Sequence, residues 1–373
     1  MGEDMKRLVT WAVAAVTAAA LLIPVRVEAV SAEKAVVMDA VTGRVLYERN
    51  AQSQSLIAST TKIMTAYVVC RRCNVLDRFR IPKEAVGIEG SSMYLQEGEV
   101  LTVQELLYGL MLHSGNDAAV ALAIYCGGTV EGFVDLMNEQ AAFMGLKNTH
   151  FSNPHGLDAP DHYSTALDLA KLTSKAMEDP VFARTVSTKS VRMGERSLHN
   201  HNKLLWRVEG ADGVKTGYTK AAGRILVSSA VRQGRRLIAV TINAPDDWND
   251  HALLLNNGFH SFSIKRLVNM GTCLGYTEVA GGQSGFAELI ATEDFEYALS
   301  DGEEVNILLP GSGFVYAPVC SGQDAGEAKI LVNGCCVGAV KLAYGQTVEQ
   351  LPDEKISLFQ KILNLVFGKE AVP

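Results

Sequence analysis

The order of hydrophobic periodicities constrains this chain more than any other feature: strands, then a long helical region, then strands again. Apolar residues alternate over 35–39 and 44–47, joined through Thr42-Gly43, which predicts a β-hairpin. From about residue 59 the period becomes helical, with segments at 59–69, 103–111, 118–125, 130–144 and 166–177, and this region ends near Ala183. Strand patterns return at 213–219, 225–231 and 237–243, the last two turning at Gln233-Gly234, and a helix capped by Asp246 runs to about Phe259. A chain that leaves a sheet early and returns late closes by pairing its two β blocks. The expected class is α/β of the α+β kind: one antiparallel sheet with flanking helices and an inserted helical lobe.

The rest of the chain divides at its punctuation. After Ile264 short β segments are separated by Gly281-Gly282, Gly302, Gly311, Gly322 and Gly334, so residues 264–351 read as a small all-β domain following a catalytic domain at 33–263. Residues 1–32 have the form of an export signal. Lys6 and Arg7 precede an apolar run from Leu8 to Ile23, Pro24 ends it, and Val27-Glu28-Ala29 and Val30-Ser31-Ala32 each offer a small-residue cleavage site. In the tail, 352–373, an apolar arc of Ile356, Leu358, Phe359, Ile362, Leu363, Leu365, Val366 and Phe367 predicts an amphipathic helix lying on a membrane surface. A net charge of -7 gives no general attraction to nucleic acid. Seven cysteines are too few for a disulfide scaffold, and an odd number leaves at least one thiol unpaired in a monomer.

Three short motifs carry chemistry. At Ser59-Thr60-Thr61-Lys62 the i, i+3 spacing sets a hydroxyl and an amine on one helix face, beside backbone N–H groups free to hold a developing oxyanion. A serine is a poor nucleophile unless a base takes its proton, and no histidine stands at an obvious triad position. Lys62 serves as that base only if burial and a second cation depress its pKa. Ser114-Gly115-Asn116 lies between two helices, and Lys215-Thr216-Gly217 on a strand. Each motif is weak alone, and Ser31-Ala32-Glu33-Lys34 is a decoy copy of the first; order and spacing make the set specific.

Ser-x-x-Lys, Ser-x-Asn and Lys-Thr-Gly together resemble the low-molecular-mass penicillin-binding proteins, serine-type D-alanyl-D-alanine carboxypeptidases of peptidase family S11. The likeness extends to Ser91-Ser92-Met93-Tyr94-Leu95, His113 to Asp117, Asn148 to Leu157 and Asp212 to Thr219. It implies removal of the terminal D-alanine from peptidoglycan stem peptides ending in D-Ala-D-Ala, covalent inhibition by β-lactam antibiotics, no metal or cofactor, and a place outside the cytoplasmic membrane. The roles it implies are Ser59 as nucleophile, Lys62 as base, Ser114 as proton relay, Asn116 as orienting amide and Lys215 as electrostatic support. Lys215, Thr216, Gly217 and Tyr218 would line the substrate, with the N–H groups of Ser59 and Tyr218 as oxyanion hole.

Two departures stand out. Gly115 replaces the Asp of the better-known second motif. The arginine that some relatives place after the fifth strand is missing from the stretch 244–251, which leaves carboxylate binding to Lys215 and Thr216, with His251 a weaker candidate. A serine β-lactamase is the first alternative, although no Glu-x-x-Leu-Asn is present to supply a deacylating base. A non-hydrolysing β-lactam or cell-wall sensor is the second. Cys70-Arg71-Arg72-Cys73 reads as a surface disulfide or two free thiols, His199-Asn200-His201-Asn202 as a polar loop cluster, and His150 and His155 as structural.

Overall fold

A computed structural model describes residues 30–311 and 313–352. The export signal up to Ala29 and the amphipathic tail beyond Pro352 fall outside them. The elements begin with β1 (Lys34–Asp39) and β2 (Val45–Arg49), then a 3-10 turn at Ala58–Thr61 and α1 (Lys62–Arg72). The helical lobe holds a small ladder of β3 (Arg78–Arg80) and β4 (Val100–Thr102), then α2 (Val103–Leu112), α3 (Asn116–Gly127) and α4 (Val130–Phe143). Next come α5 (Ala166–Ala176), α6 (Pro180–Ser187), a hairpin of β5 (Ser190–Met193) and β6 (Arg196–His199), and the short α7 (Leu204–Arg207). The second β block is β7 (Ala211–Thr219), β8 (Gly223–Arg232) and β9 (Arg235–Ile242), closed by α8 (Asp247–Ser261).

The two β blocks do share one sheet. Its order is β2-β1-β9-β8-β7, every pair antiparallel, with Val36 opposite Val240 and Lys215 opposite Val227. Strand periodicity sends alternate residues to two cores. Val36, Met38, Val227 and Val240 join the core under the helical lobe, whereas Ala35, Val37, Leu226 and Ala239 pack beneath α8 with Leu254 and Leu255. Helix α1 is buried continuously from Lys62 to Val69, which a helix at the centre of a lobe requires. Helix α2 starts at a capping box in which Thr102 and Glu105 satisfy each other's N–H groups.

The structure departs from the pattern reading at three places. Helix α1 begins at Lys62, because Ala58 at φ +44° bends the chain and puts Ser59 in a 3-10 turn. Helix α6 lies beyond the last expected helix: Asp179 accepts from the N–H groups of Val181 and Phe182, and Pro180 occupies its first position. Asp246 precedes α8 as expected, yet its side chain makes no capping bond and accepts from the Asn249 side chain.

Residues 30–32, read as the end of the leader, are built into the fold. The Asp250 carboxylate accepts from Ser31 N (2.8 Å), Ser31 Oγ (2.7 Å) and Ala32 N (3.1 Å), and Arg49 donates to the Val30 carbonyl (2.9 Å). The decoy motif is also resolved, since Lys34 Nζ donates to Ser55 Oγ and away from Ser31.

Beyond α8 the regular elements among the described residues are all β strands. β10 (Ser263–Val268) pairs with β13 (Phe295–Leu299). A six-stranded sheet is formed by β11 (Cys273–Ala280), β12 (Phe286–Ala291), β14 (Val305–Leu308), β15 (Phe314–Tyr316), β16 (Asp324–Val332) and β17 (Cys335–Tyr344). Arg44, in the β1–β2 turn, joins the two parts: it pairs with Glu303, donates to the Ala298 carbonyl and stacks on Phe262 and Tyr297.

Candidate active site

Three segments meet at one cleft of about 410 Å³: the turn before α1, the loop between α2 and α3, and β7. The Lys62 amine lies at their centre, fully buried. It stands 3.0 Å from Ser59 Oγ, 2.7 Å from Asn116 Oδ1 and 2.5 Å from the His155 carbonyl. Asn116 Nδ2 donates to the Glu89 carbonyl, which fixes the orientation of that amide. Two of the three partners are therefore acceptors only. A neutral amine has two N–H bonds and one lone pair; the N–H bonds go to Asn116 and His155, and the lone pair faces the Ser59 hydroxyl. Burial lowers the Lys62 pKa well below that of an ordinary lysine, the nearby Lys215 charge lowers it further, and Asp117 opposes the shift.

Lys215, also buried, donates to the Thr216 carbonyl at 2.9 Å, and burial brings its pKa down to about 7. Ser114 adopts φ +63°, a strained backbone for a serine, and lines the same cleft as Ser59, Thr216, Gly217 and Tyr218. Gly217 runs so close to the serine turn that a Cβ there would lie 3.3 Å from Ser59 N. Tyr218 is 65% exposed at the cleft mouth. All eight residues singled out from the motifs thus occupy one neighbourhood.

The surroundings brace this geometry. Ser152 N–H donates to His162 Nδ1, which leaves Nε2 as the donor to Thr61 Oγ1, and Thr61 in turn donates to the Ala58 carbonyl. Burial holds the His162 pKa down to about 4, so the ring is neutral at physiological pH. Thr65 holds the Pro154 carbonyl, and Gly156, at φ +92°, passes the Ala58 carbonyl where a Cβ would be only 1.9 Å away. On the opposite side, the buried Asp117 carboxylate in the first turn of α3 accepts from Ser92 Oγ, Met93 N and Leu95 N. Asn116 N donates to the Ser91 carbonyl, which positions Ser91 in the cleft. These bonds account for the likeness seen at Ser91–Leu95 and around Pro154.

Several cleft groups escaped the sequence reading. The site uses the carbonyl of His155, which no side-chain pattern reveals. His201 lines the cleft, packed 5.3 Å from His113, while its neighbours Asn200 and Asn202 are buried loop braces; only part of that cluster is structural. Arg224, at the start of β8 opposite Tyr218, also lines the cleft with Lys203, bonded to Asp247 at 2.7 Å and lying over Trp248. Its cue was an arginine close after the third motif. His251 is corrected outright: its ring is fully buried between Ser228 Oγ (2.6 Å) and Thr241 Oγ1 (2.9 Å), so it cannot meet a substrate.

An antiparallel sheet with an inserted helical lobe, and a serine hydroxyl 3.0 Å from the amine of a buried lysine, are the arrangement of a serine hydrolase. Residues 20–246 match the model of peptidase family S11, D-alanyl-D-alanine carboxypeptidase, and the chain belongs to that family. It is 33% identical to D-alanyl-D-alanine carboxypeptidase DacF of Bacillus subtilis over 81% of this chain and 82% of that protein. It is 35% identical to DacD of Escherichia coli over 79% and 81%. Among solved structures, penicillin binding protein 5 from Haemophilus influenzae superposes with a TM-score of 0.76 at 30% identity, covering 87% of this chain and all of that one.

Proposed function

We propose that this protein is an exported serine D-Ala-D-Ala carboxypeptidase that trims the terminal D-alanine from peptidoglycan stem peptides through a Ser59 acyl-enzyme. The observation that carries the reading is the bonding of Lys62: with Asn116 Oδ1 and the His155 carbonyl taking two N–H bonds, deprotonation leaves its lone pair for Ser59. Ser59 attacks the penultimate D-alanine carbonyl as Lys62 takes its proton, and the Ser59 and Tyr218 N–H groups receive the oxyanion. Ser114 passes a proton to the departing D-alanine amine, Asn116 holds Lys62 and the substrate amide, and water releases the acyl group. Lys215 supplies positive charge, and Thr216 and Gly217 border the substrate. Arg224 would give a second cationic contact for the terminal carboxylate, beside Lys215, in place of the arginine missing after β9. A β-lactam enters the same path and stops at the acyl-enzyme. The only carboxylate lining the described cleft, Asp247, is engaged by Arg224, which favours a long-lived adduct over β-lactamase turnover.

The deciding assay is D-alanine release from a D-Ala-D-Ala pentapeptide, with and without penicillin. Release that penicillin abolishes is expected; rapid hydrolysis of penicillin itself would support the β-lactamase reading, and acylation without D-alanine release the sensor. The reading includes an amphipathic membrane-surface tail at 352–373, a catalytic domain and a β domain beyond it. It moves the leader boundary to Ala29-Val30, since Ser31 and Ala32 serve the fold through Asp250. Mass analysis of the exported protein should give Val30 as its first residue; a first residue after Ala32 would refute that boundary.

A further inference from the structure

Helices α1 and α3 meet at both ends. At their N-terminal ends Lys62 bonds to Asn116. At roughly 1.5 Å per residue, Cys73 lies about 16 Å beyond Lys62 and Cys126 about 15 Å beyond Asn116. Helices α1 and α3 also pack against each other along their length. The residues beside these cysteines agree: Tyr125 OH donates to Asp77 Oδ2 at 2.7 Å, and the Tyr125 ring meets Phe79 edge-on at 5.1 Å. Cys73 and Cys126 are both half-buried against the lobe core, near enough for each thiol to perturb the other's ionisation.

We propose that Cys73 and Cys126 form a disulfide in the exported protein, tying the far ends of the two helices whose near ends carry Lys62 and Asn116. Cys70, a turn earlier on α1, stays a thiol, so the pairing is not the Cys-x-x-Cys one that the sequence suggests. Of the pair, Cys126 ionises more readily: the Cys73 thiol and the Arg72 charge favour its thiolate, while Cys126 and burial keep the proton on Cys73. Burial pushes the Cys70 thiol up to about 12. The oxidant is an external disulfide donor, as extracytoplasmic compartments maintain. Cys126 thiolate attacks one donor sulfur and expels the other as a thiolate. Cys73 then loses its proton, attacks Cys126 Sγ and expels the second donor thiolate. Two protein thiols give up two protons and two electrons, and the donor disulfide becomes two thiols.

The link is read directly by alkylating the unfolded, unreduced exported protein and mapping its peptides. A peptide containing Cys73 joined to one containing Cys126, with Cys70 alkylated, is expected. Reductant should lower the thermal midpoint by roughly 5–10 °C. In Cys126→Ser, still acylated by labelled penicillin at 25 °C and so folded, reductant should leave the midpoint in place. Alkylation of both Cys73 and Cys126, a Cys70–Cys73 link, or an equal reductant-dependent drop in Cys126→Ser would overturn the proposal.

Discussion

At the scale of single residues the chemistry turns on the proton count of Lys62. Its pKa falls because burial disfavours the cation and Lys215 adds a like charge, so raising pH converts it to the form that can accept the Ser59 proton. Acylation by labelled penicillin should therefore rise with pH from the acid side. Lys62→Arg keeps a cation that never deprotonates; it should acylate at least about 100-fold more slowly across the whole range, which stopped-flow or gel labelling would read. Ser59→Ala should form no covalent adduct at any pH, and an adduct by mass spectrometry would dismiss Ser59 as nucleophile.

At the scale of elements the site depends on how closely the 154–156 segment passes the turn before α1. Gly156→Ala asks a side chain to adopt φ +92° and to occupy space held by the Ala58 carbonyl. Relief requires the segment to back away, taking the His155 carbonyl from Lys62. Because displacements near 1 Å cost about 100-fold in well-aligned reactions, acylation should fall by at least that factor. Circular dichroism should still report a folded protein; unchanged acylation would mean the segment does not position Lys62. The same logic explains why Ser59 sits in a 3-10 turn: an α-helical start would carry its N–H away from Gly217 and β7.

At the scale of the whole molecule, buried neutral histidines set a response to acid. Burial holds His162 and His155 down to about 4 and His251 to about 3, against about 6.5 in the unfolded chain. The unfolded state therefore binds more protons between those values. Stability is full above about pH 6.5 and should fall as pH drops toward 4, each histidine contributing up to about 1.4 kcal/mol per pH unit within its window. A thermal midpoint constant between pH 7 and 5 would contradict this. Glu303 acts lower: Arg44 holds it down to about 2, so their link between the two parts of the chain persists above about pH 4 and weakens as pH falls toward 2. Arg44→Ala should cost about 2 kcal/mol by denaturant unfolding, since it leaves Glu303 without its charged partner.

Strand and helix periods were sufficient to give the split sheet and its inserted lobe, because a half-buried strand repeats every two residues and a packed helix every three or four. The three motifs were legible because their side chains carry the chemistry and their spacing survives folding. What the sequence could not fix was every group that acts through its backbone or its place in space. The His155 carbonyl has no side-chain signature, Arg224 and His201 are ordinary residues until distant segments bring them to the cleft, and Asp117 is one until Ser92, Met93 and Leu95 fold onto it. His251 had the right chemistry for a carboxylate, but α8 turns it inward between Ser228 and Thr241. Only the tertiary structure decided these, because burial and direction depend on which segments pack together, and one chain read along its length does not contain that information.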